Sequence, residues 1–372
     1  MKQSIFKQRV GILRKEMAGT KADTLWIIQP ENRRYVSGFK AVDTQLNESS
    51  GSLIINPENA LLVTDSRYTI EAIKDARDFE VVTLKKGLVE EIPAILARLK
   101  TKVLGFEGGY VSWDLQRKMA KKLRAFSPAI RMLPMDGLIE GMREVKDRAE
   151  IRMMERSAVM MGEILDQVIA KLQPGRTEKD IARQIEELAY ASGADGLAFP
   201  SIVASGPNGA LPHAVPSKRK IRASEPIVFD VGIRLQGYCC DMTRTVFLGR
   251  PTPKFKEIYH VVRKAQLAAI RAVRPGMKSS QLDGVAREII QNAGFGEFFG
   301  HSLGHGVGLA THEGPRISPL QSVRLEEGMV FTIEPGIYIP GKGGVRLEEM
   351  VVVGKHRARL LTRAGHIYDF SQ

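Results

Sequence analysis

The 372-residue sequence has little cysteine: two residues, the adjacent pair Cys239 and Cys240. Successive side chains of a strand point to opposite faces, so this pair would bridge only under strain, and no disulfide framework is expected. Such scarcity fits a reducing compartment. Long apolar runs are missing as well. No stretch of 18 hydrophobic residues occurs, which excludes a membrane-spanning helix. The first ten residues hold no apolar signal core, so the expected location is the cytoplasm. Low-complexity tracts and short repeats are absent. A content of 43% hydrophobic and 26% charged residues is the balance of a globular chain with core enough for two domains.

Acids are outnumbered: 42 Asp and Glu against 55 Lys and Arg leave a formal charge of +13. Residues 1–135 hold 23 Lys and Arg against 15 Asp and Glu, and so account for +8 of it. Part of that charge lies on a helical pattern at 116–124, which equally describes a solvated helix face. No aromatic-flanked basic motif or zinc knuckle accompanies it, so nucleic acid is not an expected partner. Weak attraction of acidic partners is the expected consequence.

What is present is a set of acids in apolar or glycine-rich company. Four patches stand out: FDVGIRLQGYCCDMTRT at 229–245, GHGVGLATHEGP at 304–315, FTIEPGIY at 331–338 and GGVRLEEM at 343–350. They offer Asp230, Asp241, His305, Glu334 and Glu348 as metal ligands. Asp230 ends the apolar run 226–229, and Asp241 lies eleven residues on. A hairpin centred between Leu235 and Gln236 sets these two directly opposite each other. The same arithmetic opposes Glu334 to Glu348 about Gly341, inside the turn-forming sequence PGKGG at 340–344. Facing side chains have Cβ atoms roughly 4.5–5.5 Å apart, and like charges there repel unless cations lie between them. The charge of four carboxylates is cancelled by two divalent ions. Oxygen ligands with one imidazole and no thiolate suit manganese, cobalt, zinc or ferrous iron, whereas calcium normally takes an all-oxygen shell.

Residues 1–135 alternate helices (5–19, 67–76) with strands (24–28, 53–55, 60–63, 103–106), with a short helical or turn segment at 32–37 and a polar loop at 43–51. That is the pattern of an α/β domain. A joining segment is expected at 136–146. In 147–372 a long helix runs from 147 to about 173 and stops at Pro174 and Gly175. A second opens at Thr177 as N-cap, with Asp180 at the capping-box position, and runs to about 192. Strands at 199–203, 227–231 and 238–247, a helix pair at 253–273 and 279–292, and a strand-rich end predict an α+β catalytic domain.

On these patches the chain resembles the pita-bread metallopeptidases, in the branch of Xaa-Pro aminopeptidase and Xaa-Pro dipeptidase (prolidase). The resemblance covers essentially the whole length: VTDSRY at 63–68 looks like the signature of the creatinase-like N-terminal domain, and MREVK at 142–146 like its joining segment. It implies an α/β creatinase-like domain ahead of an α+β pita-bread domain. It also implies two divalent ions per subunit, Asp230 on one, Asp241 and Glu348 bridging both, His305 and Glu334 on the other. His213 in LPHAVP, His301 in GHSLG and His312 in HEGP match positions that line the family's active site. Arg346, two residues before Glu348 and hence on the same strand face, is expected to fix a ligand carboxylate. Glu349 departs from the Asp or Asn that commonly follows the last ligand.

The activity so implied is that of an Xaa-Pro aminopeptidase, cleaving the first bond of peptides with proline in second position. Glu334 would carry the proton, His312 or His213 would steady the oxyanion, and His301 would meet the proline side. The alternative within the family is prolidase, confined to dipeptides and needing a charge or wall for the substrate's terminal carboxylate, for which 43–51 is the place to look. A non-catalytic pita-bread binding module is opposed by the complete ligand set. The resemblance implies a homodimer.

Overall fold

Short apolar strands separated by amphipathic helices build residues up to Met142 into one unit, and Arg143–Gln372 form a second. The computed structural model describes residues 4–43, 45, 48–362 and 365–368. The division falls inside the helix Leu138–Glu144, within the segment expected to join the domains.

The first unit is a six-stranded sheet with the spatial order Glu80–Leu84, Ala60–Asp65, Ser52–Ile55, Thr24–Ile27, Val103–Phe106, Arg131–Pro134. Thr24–Ile27 is buried along its length because it has neighbours on both sides, antiparallel Ser52–Ile55 and parallel Val103–Phe106. Helices Leu88–Arg98 and Trp113–Phe126 contribute Ile92, Leu96, Met119 and Leu123 to one core with Trp26 and Ile54. Burying each such side chain stabilises by ~1.5–3 kcal/mol. Four elements escaped the sequence pattern, among them the helix Leu138–Glu144 in the expected joining segment. Glu80–Leu84 and Arg131–Pro134 are the edge strands, partly exposed and weakly alternating, and Leu88–Arg98 carries Pro93 inside it.

The basic helix is a solvated face, with Arg117 and Lys118 paired to Asp114 at 3.1 and 2.6 Å. The polar loop at 43–51 is tied down at its first residue. Asp43 forms a buried ion pair with Arg33 at 3.1 Å, and Arg33 also donates to the carbonyls of Ala41 and Gly51 at 2.8 and 2.6 Å. Thr44, Leu46 and Asn47 of that loop lie outside the described residues.

In the second unit two helices start as their caps dictate. The Asp147 carboxylate accepts the N–H groups of Ala149 and Glu150 ahead of Arg148–Ala170, and Thr177 Oγ1 accepts that of Asp180 at 3.1 Å ahead of Glu178–Ala191. These helices share a core with strand residues Phe229, Val231 and Met350, while Pro253–Ala272 and Ser279–Asn292 share another with Phe331, Ile333 and Val351. The strands pair antiparallel throughout the described residues. One sheet has the order Met242–Phe247, Pro226–Val231, Ile202–Ser205; another runs Glu313–Ile317, Gly304–Gly306, Val330–Ile333, Glu349–Val353, Ala358–Leu360. Gly336–Ile339 and Gly343–Arg346 pair as a separate two-stranded ribbon. Cys239 and Cys240 are buried as small core residues. Burial pushes both thiols up, Cys240 to about 12, which leaves little thiolate near neutrality. No described helix is long and apolar enough to cross a membrane.

Candidate metal centre

Strand register decides which acids meet. Leu235 pairs with Tyr238 across a two-residue turn, and Gln236 and Gly237 both have positive φ, 48° and 84°, as a type I′ hairpin requires. The hairpin is therefore centred one residue later than the sequence spacing predicted. Asp230 faces Thr243, not Asp241. The slip moves the partner by two positions, so it preserves the face, and Asp241 lies diagonal to Asp230 instead of opposite it. The other acid pair keeps the expected geometry. Ile333 pairs with Glu349 and Gly336 with Arg346, and the same register carried through the gap puts Glu334 across from Glu348.

His305 arrives on the short strand Gly304–Gly306, which lies between Glu313–Ile317 and Val330–Ile333. Its flanking glycines have a steric reason. A Cβ on Gly304 would collide with the Thr332 carbonyl, and one on Gly306 with that of Gly314. His305 Nδ1 donates to the Gly306 carbonyl at 3.0 Å, which turns the bare Nε2 toward Glu334 Oε1 at 3.3 Å and Asp241 Oδ2 at 3.7 Å. Burial holds this imidazole's pKa below its ordinary value, so near neutrality Nε2 is an acceptor facing acceptors. Ligand atoms of Asp241, His305 and Glu348 all lie within 4.8 Å of one another.

Three of the four carboxylates are held by one oxygen each. Arg346 Nη2 donates to Asp230 Oδ2 at 2.5 Å, Thr243 Oγ1 to Glu348 Oε2 at 2.8 Å, and Thr332 Oγ1 to Glu334 Oε1 at 3.0 Å. The inner oxygens Asp230 Oδ1 and Asp241 Oδ1 are buried without a hydrogen-bond partner. An orphaned buried acceptor costs about 1–3 kcal/mol, more when charged. Burial first, then repulsion from Glu348, Asp230 and Glu334, pushes the Asp241 carboxyl well above the usual range. Burial and repulsion from Glu334 and Asp230 do the same to Glu348, and burial raises Glu334. Unpartnered oxygens, a bare imidazole nitrogen and crowded acids are what cations resolve, and these residues fit a two-ion site.

All nine residues singled out in the sequence line one cavity of 830 Å³: the five candidate ligands, Arg346, and His213, His301 and His312. The His312 ring lies 4.2 Å from that of His305, centroid to centroid. Neither His312 nor His213 has a hydrogen-bond partner among the described residues, and both are exposed to the cavity. His301 differs: Nδ1 donates to the Ser302 carbonyl at 2.8 Å and Nε2 meets the Tyr338 hydroxyl at 2.9 Å.

Sequence reasoning missed Thr243 and Tyr338. Thr243 opposes Asp230, donates to Glu348 and accepts from Arg346 Nε at 3.0 Å. Tyr338 links Arg346 Nη1, at 2.8 Å, to His301. Their signal was the two-residue strand period, which sets Thr243 on the face of Asp241. Glu349, the departure noted in the sequence, is buried against Arg244 at 2.9 Å. Arg244 Nη1 in turn donates to the Glu348 carbonyl at 2.6 Å, fixing the backbone of that candidate ligand.

Residues 152–355 match metallopeptidase family M24, and residues 9–145 match the creatinase/prolidase N-terminal domain. The chain is 37% identical to the Xaa-Pro dipeptidase of Pyrococcus furiosus over 358 residues, 96% of this chain and 98% of that one. It superposes on an Xaa-Pro dipeptidase from Bacillus anthracis with a TM-score of 0.91 at 32% identity, covering 97% of this chain and 98% of the other. An X-Pro aminopeptidase from Thermotoga maritima gives 0.85 at 35% identity over 95% and 98%. The chain belongs to metallopeptidase family M24: a hydrolase with a creatinase-type N-terminal domain, a pita-bread catalytic domain and a site for two metal ions.

Proposed function

We propose that this M24 metallopeptidase is an Xaa-Pro dipeptidase, with Asp230, Asp241, His305, Glu334 and Glu348 as its metal ligands. The observation that carries the choice of dipeptide is Arg316. It is exposed on the cavity wall, its charge reaches His305 and His312, and it has no hydrogen-bond or ion-pair partner among the described residues. A free guanidinium beside the chemistry suits the terminal carboxylate that a dipeptide substrate carries there. The dipeptidases of Pyrococcus furiosus and Bacillus anthracis support the same choice over the aminopeptidase implied by the motifs alone. Arg316 in this reading supplies the charge that was sought at 43–51.

Two bound divalent ions would supply Lewis acidity and lower the pKa of a water from about 15.7 toward neutrality. The side chains do the rest. Glu334 takes a proton and delivers it to the departing proline nitrogen. An amine departs poorly as an anion, so that nitrogen must gain a proton as the bond breaks. His312 and His213, with ring nitrogens free, donate to the oxyanion. His301, with both nitrogens engaged, offers its ring to the pyrrolidine. Arg346 keeps Asp230 aimed.

The metal-loaded protein should cleave Met-Pro and spare both a longer Xaa-Pro peptide and a proline-free control. Arg316→Ala should raise KM for Met-Pro about tenfold or more, the equivalent of one charge-assisted hydrogen bond. Equal cleavage of the longer peptide would return the aminopeptidase reading. The homodimer belongs to the same proposal, and sedimentation at the mass of one chain would remove it.

A further inference from the structure

The loop that carries His213 has little regular structure, and its apolar anchor is the small Ala214, packed with Ile202, Ala204 and Val228. It leaves the strand Ile202–Ser205, makes one 3-10 turn at Gly206–Ala210 and continues to Ser217 without regular structure. Its tip is open, with His213 exposed and Val215 81% exposed. Yet both ends converge on one side chain. Glu178, the first residue of the helix Glu178–Ala191, is fully buried. Its Oε1 accepts from the Ser205 N–H at 2.7 Å and Oγ at 2.8 Å, and its Oε2 from the Ser217 N–H at 3.0 Å and Oγ at 2.7 Å. Asn208 Nδ2 lies between and reaches both oxygens, at 3.2 and 2.9 Å. A second tie comes from the metal side, where Arg346 Nη1 donates to the Pro212 carbonyl at 3.2 Å, directly before His213.

Burial alone would raise the Glu178 carboxyl, but the donors from Ser217, Ser205 and Asn208 outweigh it and hold the pKa below the ordinary value. The group is thus an anion near neutrality, and six donor contacts to an anion are each stronger than neutral ones. A helix start needs no such arrangement, since Thr177 already caps it. The loop ends do need it. We propose that Glu178 is a positioning residue for the reaction, stapling residues 205 and 217 together so that His213 stays over the metal ligands. This role for Glu178 rests on the one proposed for His213.

Glu178→Gln keeps size but replaces one acceptor oxygen by a donor, which must face Ser205 or Ser217 donors. The test is a double-mutant cycle on a single proline-containing substrate, with wild type, Glu178→Gln, His213→Ala and both together. Expected is a loss of about tenfold or more in kcat with Glu178→Gln, from a displaced donor, and less than about twofold when His213 is already alanine. Metal content should be unchanged, and amide exchange should quicken in residues 206–216 alone. Equal losses in both backgrounds, or none, overturn the proposal. If Glu178→Gln does not fold or sheds metal, Ser217→Ala takes its place in the cycle, and the same pattern of losses supports or overturns the proposal. His213→Ala alone reads the histidine's role, and the cycle compares rates on one substrate, so whichever proline-containing peptide the wild type cleaves serves, and the outcome does not depend on the choice between dipeptidase and aminopeptidase.

Discussion

Glu348→Ala is expected to leave less than about one hundredth of the parent turnover and to lower the bound metal stoichiometry. Changes that only touch a ligand's supporting partners typically cost about 10–100-fold, so removal of a ligand should exceed that range. Glu348 is 1% exposed and faces Asp241 and Glu334, and Thr243 holds just one of its oxygens. Alanine leaves Thr243 without its acceptor and takes one charge out of the site. Metal analysis beside activity separates this outcome from misfolding. Unaltered metal content and turnover in a folded variant would falsify the ligand role.

His312→Ala should behave differently: metal content retained, kcat down by about a hundredfold to a thousandfold, the usual loss for one oxyanion donor. The His312 ring lies beside His305 but donates to no protein group among the described residues, so its removal breaks no bond that orients a ligand. Its pKa is held down by burial and then by the neighbouring His305, so the ring is neutral near neutrality and can donate a hydrogen bond without carrying a charge. A variant with unchanged kcat, or one that loses metal along with activity, would contradict the assignment. The contrast between the two variants is informative, because ligand loss and donor loss leave different metal stoichiometries.

Much of the site was legible because metal chemistry restricts residue type and strands restrict spacing. Glu334 and Glu348 fell across from each other as their distance from Gly341 required. Asp230 and Asp241 did not, because the turn uses Gln236 and Gly237 as its two central residues and Gln236 takes positive φ. Nothing in a glutamine announces that. Hydroxyl partners were harder to find: the strand period places Thr243 on the face of Asp241, but its bond reaches Glu348, 105 residues away, and Tyr338 acts through Arg346, so spacing alone does not show what they hold. Glu178 was invisible for the same reason, its partners being 27 to 39 residues on. In the first unit, the long-range clue that sets edge strands apart is absent from a sequence window, so Glu80–Leu84 and Arg131–Pro134 were passed over.

The tight bend at Gln236 and Gly237 governs chemistry it never touches. Because a strand shows alternate residues to alternate sides, a residue added to that bend and taken up as a one-step slip of Met242–Phe247 against Pro226–Val231 would turn Asp241 away from its fellow candidate ligands and into the apolar layer behind them. The pairing is therefore under a constraint of parity: extra length that stays within the bend leaves the acids together, and a slip of the register by a single residue separates them.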